Sequence, residues 1–330
     1  MKITFFERKF NPDVISIEKL FNVIRENLKN KSIEIEVVNN PYDIKSIWKS
    51  VFFFKKRQGK INHISGDIHW ASLLLDRRKL VLTIHDLVGL EDLKGIKRTL
   101  YYYIWMYFPI KKVKYITVIS DKVKEDIVKL IPSSASKIRV IPNCVTIEIK
   151  PPIEKNEIKK ILIIGTRNNK NIERIIIALK GLDIELSIVG KLSNVQLSLL
   201  DNNKINFINF ININEKELID LYDNSDILCF ISIYEGFGLP ILEAQARSCN
   251  VITSNISPMK EVAGNGAILV DPTNIEEIKM AVIDIMKNKQ KRNILAQLGF
   301  ENVQKYSPDI IIKKYIEIYD LIEKEYNLQN

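Results

Sequence analysis

Short apolar runs alternate with longer amphipathic stretches along almost the whole chain. KITFF, IEIEVV, INHI, KLVLTI, YITVI and IRVI read as strands, with helical stretches in most of the gaps. Strands alternating with helices imply a parallel sheet covered on both faces. A polar, proline-bearing segment from Glu148, EIKPPIEKNEIKK, has no apolar periodicity and reads as a linker. The alternation then restarts with ILIIG, ELSIV, INFINF, DILCFIS, NVITS and AILV. A chain of 330 residues also exceeds one ordinary core. The pattern therefore predicts an α/β protein of two doubly wound, Rossmann-like domains, 1–148 and 149–308, with a last helix over 309–330. Ligands of such sheets sit beyond the C-terminal strand ends, so two facing sheets would make a deep cleft there.

Composition excludes several classes. Hydrophobic residues at 46% and charged residues at 27% describe a globular chain rather than a disordered or fibrous one. The longest charge-free apolar run, Leu100 to Ile110, falls short of the roughly 20 residues of a spanning helix, and MKITFFERKF lacks a signal peptide's apolar core. A cytoplasmic location is expected. Cys144, Cys229 and Cys249 show no metal-ligand or disulfide spacing and are expected as reduced thiols, Cys229 in a strand core. A net charge of +9 suits nucleic acid, an anionic membrane surface or a phosphorylated substrate. No aromatic RNA-binding motif or recognition helix accompanies it, so nucleic acid is not an expected partner.

The segment EGFGLPILE, Glu235 to Glu243, follows the continuous apolar run Ile227 to Ile231. Such a run suits a central parallel strand, which puts Glu235 in the loop at its C-terminal end. Gly236 and Gly238 let backbone approach a ligand, and Pro240 suits the first turn of a helix beginning at Leu239, with Glu243 in that turn. A helix N-terminus attracts phosphate, whereas two carboxylates repel it and accept hydrogen bonds from hydroxyls. Together they fit a ligand that has both: a nucleotide sugar.

EGFGLPILEAQARSCNVITSNISPMKEVAGNGAILVDP resembles the signature region of the retaining family 4 glycosyltransferases, which have the two-domain GT-B fold and an E-x7-E motif. The likeness extends through ILIIGTRNNKNIERIIIAL, VISDKVKEDIVKLI, KIRVIPN and TIHDL. It implies that Glu243 holds the ribose hydroxyls and Glu235 the transferred sugar. The backbone of Gly236, Phe237 and Gly238 would contact that sugar, with Leu239 near the phosphates.

The loop GTRNNKN follows the strand Ile161 to Ile164, where phosphate is commonly held. Gly165 and Thr166 open it, and Arg167 and Lys170 can point at a diphosphate. By resemblance these two cations neutralise the leaving group, stabilising the transition state more than the ground state. No D-x-D sequence is present, and neither metal nor cofactor is expected. His85, in TIHDL, follows the strand Leu80 to Ile84, and the resemblance places it against the donor sugar near the reacting carbon. His63 and His69, in HISGDIHW, would face the acceptor side or serve in hydrogen bonding and packing. Ser120 and Asn143 match cleft-lining positions, with helix capping and hinge geometry as their structural alternatives. Retention could run through a glycosyl-enzyme or by same-face attack assisted by the leaving diphosphate; the family is read the second way.

Three stretches depart from the family. FFERKFNPDVIS replaces a glycine-rich loop after the first strand, NCV replaces Asn-Gly-Val at Cys144, and Asn209 and Phe210 stand where a glycine commonly approaches the base. Acceptor and base are therefore left open. In KRTLYYYIWMYFPIKKVK, Lys97 to Lys114, aromatics cover more than one helical stripe and are flanked by cations. It reads either as a packed helix or as an interfacial helix on the inner leaflet of a membrane. The tail carries Ile311, Ile312, Tyr315, Ile318, Tyr319 and Ile322 at helical spacing and is expected to pack back on the first domain, tying the two together. The expected function is hexose transfer from a nucleotide sugar to a saccharide or lipid-linked saccharide in surface polysaccharide assembly. A sugar-phosphate or sucrose-type synthase of the same fold and a silent donor-binding scaffold are the alternatives.

Overall fold

The computed structural model describes residues 1–9, 16–91 and 93–328. Part of the divergent loop after the first strand, residues 10–15, lies outside them. The chain divides into two compact units, Met1–Thr146 with Ser307–Asn330, and Ile147–Tyr306.

In the first unit the strands are β1 (Lys2–Glu7), β2 (Glu34–Asn39), β3 (Ile61–Ile64), β4 (Leu80–Ile84), β5 (Tyr115–Val118) and β6 (Ile138–Val140). Among the described residues they form one parallel sheet in the order β2-β1-β3-β4-β5-β6. Every residue of β3, β4 and β5 is buried, the polar Asn62, His63, Thr83 and Thr117 included, as suits central parallel strands covered on both faces. The helix Pro308–Asn327 packs on this sheet. Its Ile311, Ile312, Tyr315, Ile318, Tyr319 and Ile322 join Ile3, Phe5, Phe21 and Val81 in one core. His63 is set into that core. Its Nδ1 lies 2.7 Å from the Tyr319 hydroxyl and its Nε2 2.7 Å from Thr83 Oγ1, which itself meets Thr117 Oγ1 at 2.6 Å. Burial pushes the imidazole down to about 3.

The second unit holds β7 (Lys160–Ile164), β8 (Glu185–Val189), β9 (Phe207–Phe210), β10 (Ile227–Phe230), β11 (Asn250–Ser254) and β12 (Ala267–Val270). These strands too are all parallel, in the order β12-β11-β10-β7-β8-β9. The chain runs outward from β7 through β8 and β9, then returns to lay β10 on the other side of β7. The sheet's switch point is thus the gap between β7 and β10.

The polar segment from Glu148 is irregular, as its composition suggests, but it is no free tether. Lys150 N–H donates to Ala246 O at 2.9 Å, the Lys155 ammonium donates to Ser225 O, and the Arg292 guanidinium grips Lys155 O at 3.0 Å. These hydrogen bonds bind it to the second unit, which sequence patterning cannot register because the partners lie far along the chain.

The helix that follows EGFG, Leu239–Ala246, is anchored at its far end. Gln245 Nε2 donates to Ala263 O at 2.8 Å, and Asn302 Nδ2 donates to Gln245 Oε1 at 2.9 Å. Beside them Gly266 and Gly299 touch backbone to backbone: a Cβ on Gly266 would lie 2.4 Å from Gly299 Cα. Gly266→Ala is expected to destabilise the second unit by about 1–3 kcal/mol through overpacking. A lowered urea midpoint checks this; an unchanged one would show that the helix Lys289–Gln304 shifts freely.

Candidate functional site

Parallel strands place their C-terminal ends on one edge, so the loops after β7 and β10 emerge side by side at the switch point of the second sheet. Open α/β sheets bind ligands at such a point. The loops are stitched together: Ile233 N–H donates to Asn169 O at 2.8 Å, and Asn169 Nδ2 reaches Tyr234 O at 3.0 Å and Glu235 Oε1 at 3.2 Å. Asn171 takes a left-handed conformation, φ 58°, and its buried amide donates to Ile231 O and Pro272 O. That conformation turns the chain into the helix Ile172–Ala178 and leaves Lys170 directed at the neighbouring loop.

Lys170 Nζ donates to Glu235 Oε1 at 2.6 Å and lies 4.4 Å from the centroid of the Phe230 ring. Both partners of this ion pair are partly buried, at 19% and 15% side-chain exposure. Both still meet solvent. Gly165, at φ 91°, makes room: a Cβ there would lie 2.8 Å from Lys170 Cε. Thr166 Oγ1 donates to Lys191 O at 2.7 Å, which holds the start of the loop. Arg167 is exposed.

Gly238, at φ 105°, is the residue before the helix Leu239–Ala246, and Pro240 lies in its first turn. Phe237 is buried against Tyr306, ring centroids 6.0 Å apart, which leaves the loop's backbone rather than this ring facing outward. Gly236 and Leu239 are half-buried. Glu243 is only 5% exposed, and its Oε2 accepts from the Tyr222 hydroxyl at 2.8 Å. Burial and the adjacent carboxylate raise the Tyr222 pKa well above its usual value, so the phenol stays a donor. Phe210 ends β9 half-buried, while Asn209 beside it donates to Ile188 O and Gly190 O. Asn209 is tied to its own sheet.

The other candidates belong to the first unit, at the C-terminal ends of its strands. His85 follows β4, is 9% exposed, and its Nε2 lies 2.8 Å from Ser65 O, to which it donates. Burial lowers its pKa, opposed by this hydrogen bond and by Asp86. Because its partner is a carbonyl oxygen, Nε2 carries a proton. Asp67 stands near it, raised to about 6 first by the dense protein around its carboxyl and then by repulsion from Asp86. Ser120 Oγ accepts from Val123 N–H at 3.2 Å and caps the helix Asp121–Leu130. Asn143 is half-buried after β6. Cys144 does not take a positive φ; it is buried in the core, with its thiol pushed up to about 12. The departure NCV is therefore an exchange of turn for packing. His69 donates Nδ1–H to Trp105 O at 3.0 Å and, like His63, is consumed by internal hydrogen bonds.

Two family models match adjoining parts of the chain: Glycosyltransferase Family 4 over residues 24–149 and Glycosyl transferases group 1 over residues 146–301. The chain belongs to the family 4, group 1 glycosyltransferases. This glycosyltransferase is 26% identical over 246 residues to the O-antigen chain mannosyltransferase RfbU of Salmonella typhimurium, covering 69% of the chain and 67% of RfbU. It is 25% identical to the capsular polysaccharide biosynthesis glycosyltransferase CapM of Staphylococcus aureus, covering 86% and 82%. Its fold matches Anabaena HepE in complex with UDP at a TM-score of 0.72 and 14% identity, over 97% of this chain and 100% of that one. The glycosyltransferase therefore has the GT-B fold.

Sequence reading missed four residues of the candidate site, Asn169, Asn171, Tyr222 and Phe230, which hold Glu235, Lys170, Glu243 and the loops around them in place. Asn169 and Asn171 were within sight as neighbours of Lys170 in NNKN. Tyr222 carried no signal, because it meets Glu243 only across the fold.

Proposed function

We propose that this glycosyltransferase moves a hexose from a nucleotide sugar to a saccharide or lipid-linked saccharide, with retention and without a metal, in surface polysaccharide assembly. The observation that carries the reading is the Lys170–Glu235 pair at the switch point between β7 and β10, beside a glycine-led helix N-terminus. A cation and a carboxylate fixed 2.6 Å apart can meet the two halves of a nucleotide sugar at their junction. Lys170, with Arg167 from the same loop, would face the diphosphate, and Glu235 the sugar hydroxyls, with Gly165, Thr166 and the backbone of Gly236 to Gly238 alongside. Glu243 would accept the ribose hydroxyls.

In the transfer, the bond from the anomeric carbon to the diphosphate oxygen breaks and the acceptor oxygen bonds to the same face. The acceptor proton passes to the departing phosphate. Lys170 stabilises the charge growing there, a role that needs no metal. The polysaccharide setting is supported by the names of RfbU and CapM, and the nucleotide by the HepE complex with UDP. The membrane side of the reading rests on the segment Gly95–Lys112. Trp105, Met106 and Ile110 are buried, while Ile96, Leu100, Tyr103 and Phe108 stay exposed among cations. Among the described residues no helix is long and apolar enough to cross a membrane.

The test is slow hydrolysis of UDP-, GDP-, ADP- and dTDP-sugars in EDTA, with the anomer released identified early, against the Glu235→Ala variant. Selective release of the donor's own anomer that needs Glu235 supports the proposal; inversion or a strict metal requirement overturns it. Glu243→Ala is expected to weaken nucleotide binding about tenfold or more, since charged hydrogen bonds contribute about 1.5–3 kcal/mol each. Tyr222→Phe, which removes the phenol holding that carboxylate, has a smaller effect in the same direction. Calorimetric titration with UDP checks both, and unchanged affinity in the alanine variant removes the ribose assignment.

A further inference from the structure

The first sheet has a second feature at its other edge. A recess of about 300 Å³ lies at the N-terminal ends of β4, β5 and β6, lined by Arg77, Arg78, Lys112, Val113, Lys114 and Lys137. Five of these six residues are cations and none is a carboxylate. His85, Ser120 and Asn143 stand at the opposite ends of the same strands, so strands of three to five residues, about 10–17 Å, separate the recess from that edge.

Most surface lysines float in water with a carboxylate nearby; these are held differently. The Lys112 ammonium donates to Leu73 O, and the Lys137 ammonium donates to Lys111 O at 2.8 Å and more weakly to Ile110 O. Backbone carbonyls thus fix both cations without cancelling their charge, Lys112 from the turn His69–Leu74 and Lys137 from the end of the helix Phe108–Lys112. The carboxylates close by are already used: Asp76 grips Arg78, and Glu325 pairs with Lys114 and Tyr115. Burial lowers the pKa of both Lys112 and Lys137. Arg77 repels each of them, Lys55 adds to this at Lys112 and Lys111 at Lys137, while Asp76 opposes it at Lys112. Like charges have been gathered at an electrostatic cost, which an anion seated among them relieves.

We propose that this recess binds a phosphate group carrying at least two negative charges, at a site separate from the nucleotide-sugar site. Guanidinium and ammonium donors converging from three loops suit the tetrahedral, multiply charged oxygens of phosphate better than a lone carboxylate. The inference does not rest on the proposed donor chemistry and survives its failure.

The ligand can be a free diphosphate or a phosphate head group at a membrane, and two probes separate them. One is calorimetric titration with inorganic pyrophosphate, with the donor site saturated by UDP. The other is co-flotation with phosphatidylcholine vesicles with and without phosphatidic acid, whose phosphomonoester can carry two charges. Both are run on the full chain and on Arg77→Gln/Lys137→Gln, whose exposed or half-buried positions spare the core. Saturable pyrophosphate binding that falls about tenfold or more in the double variant, with UDP affinity unchanged, supports the site with a soluble ligand. Flotation that requires phosphatidic acid and is lost in the variant supports it with a lipid source. Binding to neither probe, or binding that the variant leaves intact, overturns it.

Discussion

Lys170→Ala is expected to lower kcat by about two orders of magnitude while changing KM for the nucleotide sugar much less. Removing one preplaced donor from developing transition-state charge typically costs about 2.7–4 kcal/mol, or about 10²–10³ in rate. The structure adds a reason for an effect of this size. Lys170 Nζ is bound to Glu235 Oε1 and lies over Phe230, so its position is set before any ligand arrives and no ordering is required during reaction. Deleting it also removes the main partner of Glu235, which then keeps, among the described residues, the Asn169 amide on its Oε1. Two groups fail together. Lys170→Ala and Glu235→Ala should consequently combine to less than the product of their separate losses, as residues in one network do. Single-turnover rates of the two single variants and the double variant measure this. Full activity in Lys170→Ala, or strict multiplicativity, would refute a shared role.

The first unit is expected to lose about 4 kcal/mol of stability from its buried histidines between about pH 8 and about pH 5. His63 is held down to about 3 and His69 to about 4, in both cases chiefly by burial. Unfolded, each titrates near 6.5. A histidine whose folded pKa is depressed contributes its full stability above the unfolded value, and loses it as pH falls from there towards the folded value. At about pH 5 each unfolded imidazole has bound a proton that the folded one refuses, worth about 2 kcal/mol apiece. His85, also lowered by burial, acts in the same direction. Asp67 opposes them: its raised pKa favours the folded state as pH falls through about 6, an effect reduced by the residue's exposure to solvent. Trp48, Trp70 and Trp105 all belong to the first unit, so urea unfolding followed by tryptophan fluorescence isolates it. The pH slope should be about halved in His63→Gln, whatever that substitution does to stability at neutral pH. An unaltered slope would mean that His63 is protonated in the fold.

How much of the site was legible depended on where each partner lies in the chain. Glu235, Lys170 and Gly165 sit beside apolar strand runs, so local pattern put them at strand ends, and Gly238 with Pro240 announced the helix start that the structure has, although Glu243 is the fifth residue of that helix and lies just beyond the first turn expected for it. Tyr222, whose phenol meets Glu243 from 21 positions away, had no local mark. His63 and His69 resemble candidate site residues when read in sequence, yet both rings are spent on internal partners, Tyr319 and Thr83 for one and Trp105 O for the other.

Apolar period and strand spacing, both local properties, determined two doubly wound parallel sheets and the buried stripe of the last helix. The tertiary structure alone decided which loops meet. Only the return of β10 to the free side of β7 joins NNKN to EGFG, and only the convergence of three strand starts gathers Arg77, Lys112 and Lys137 around one recess. Strand order in a sheet depends on crossover paths and on packing between residues far apart in the chain, and neither is written in the neighbourhood of any one residue.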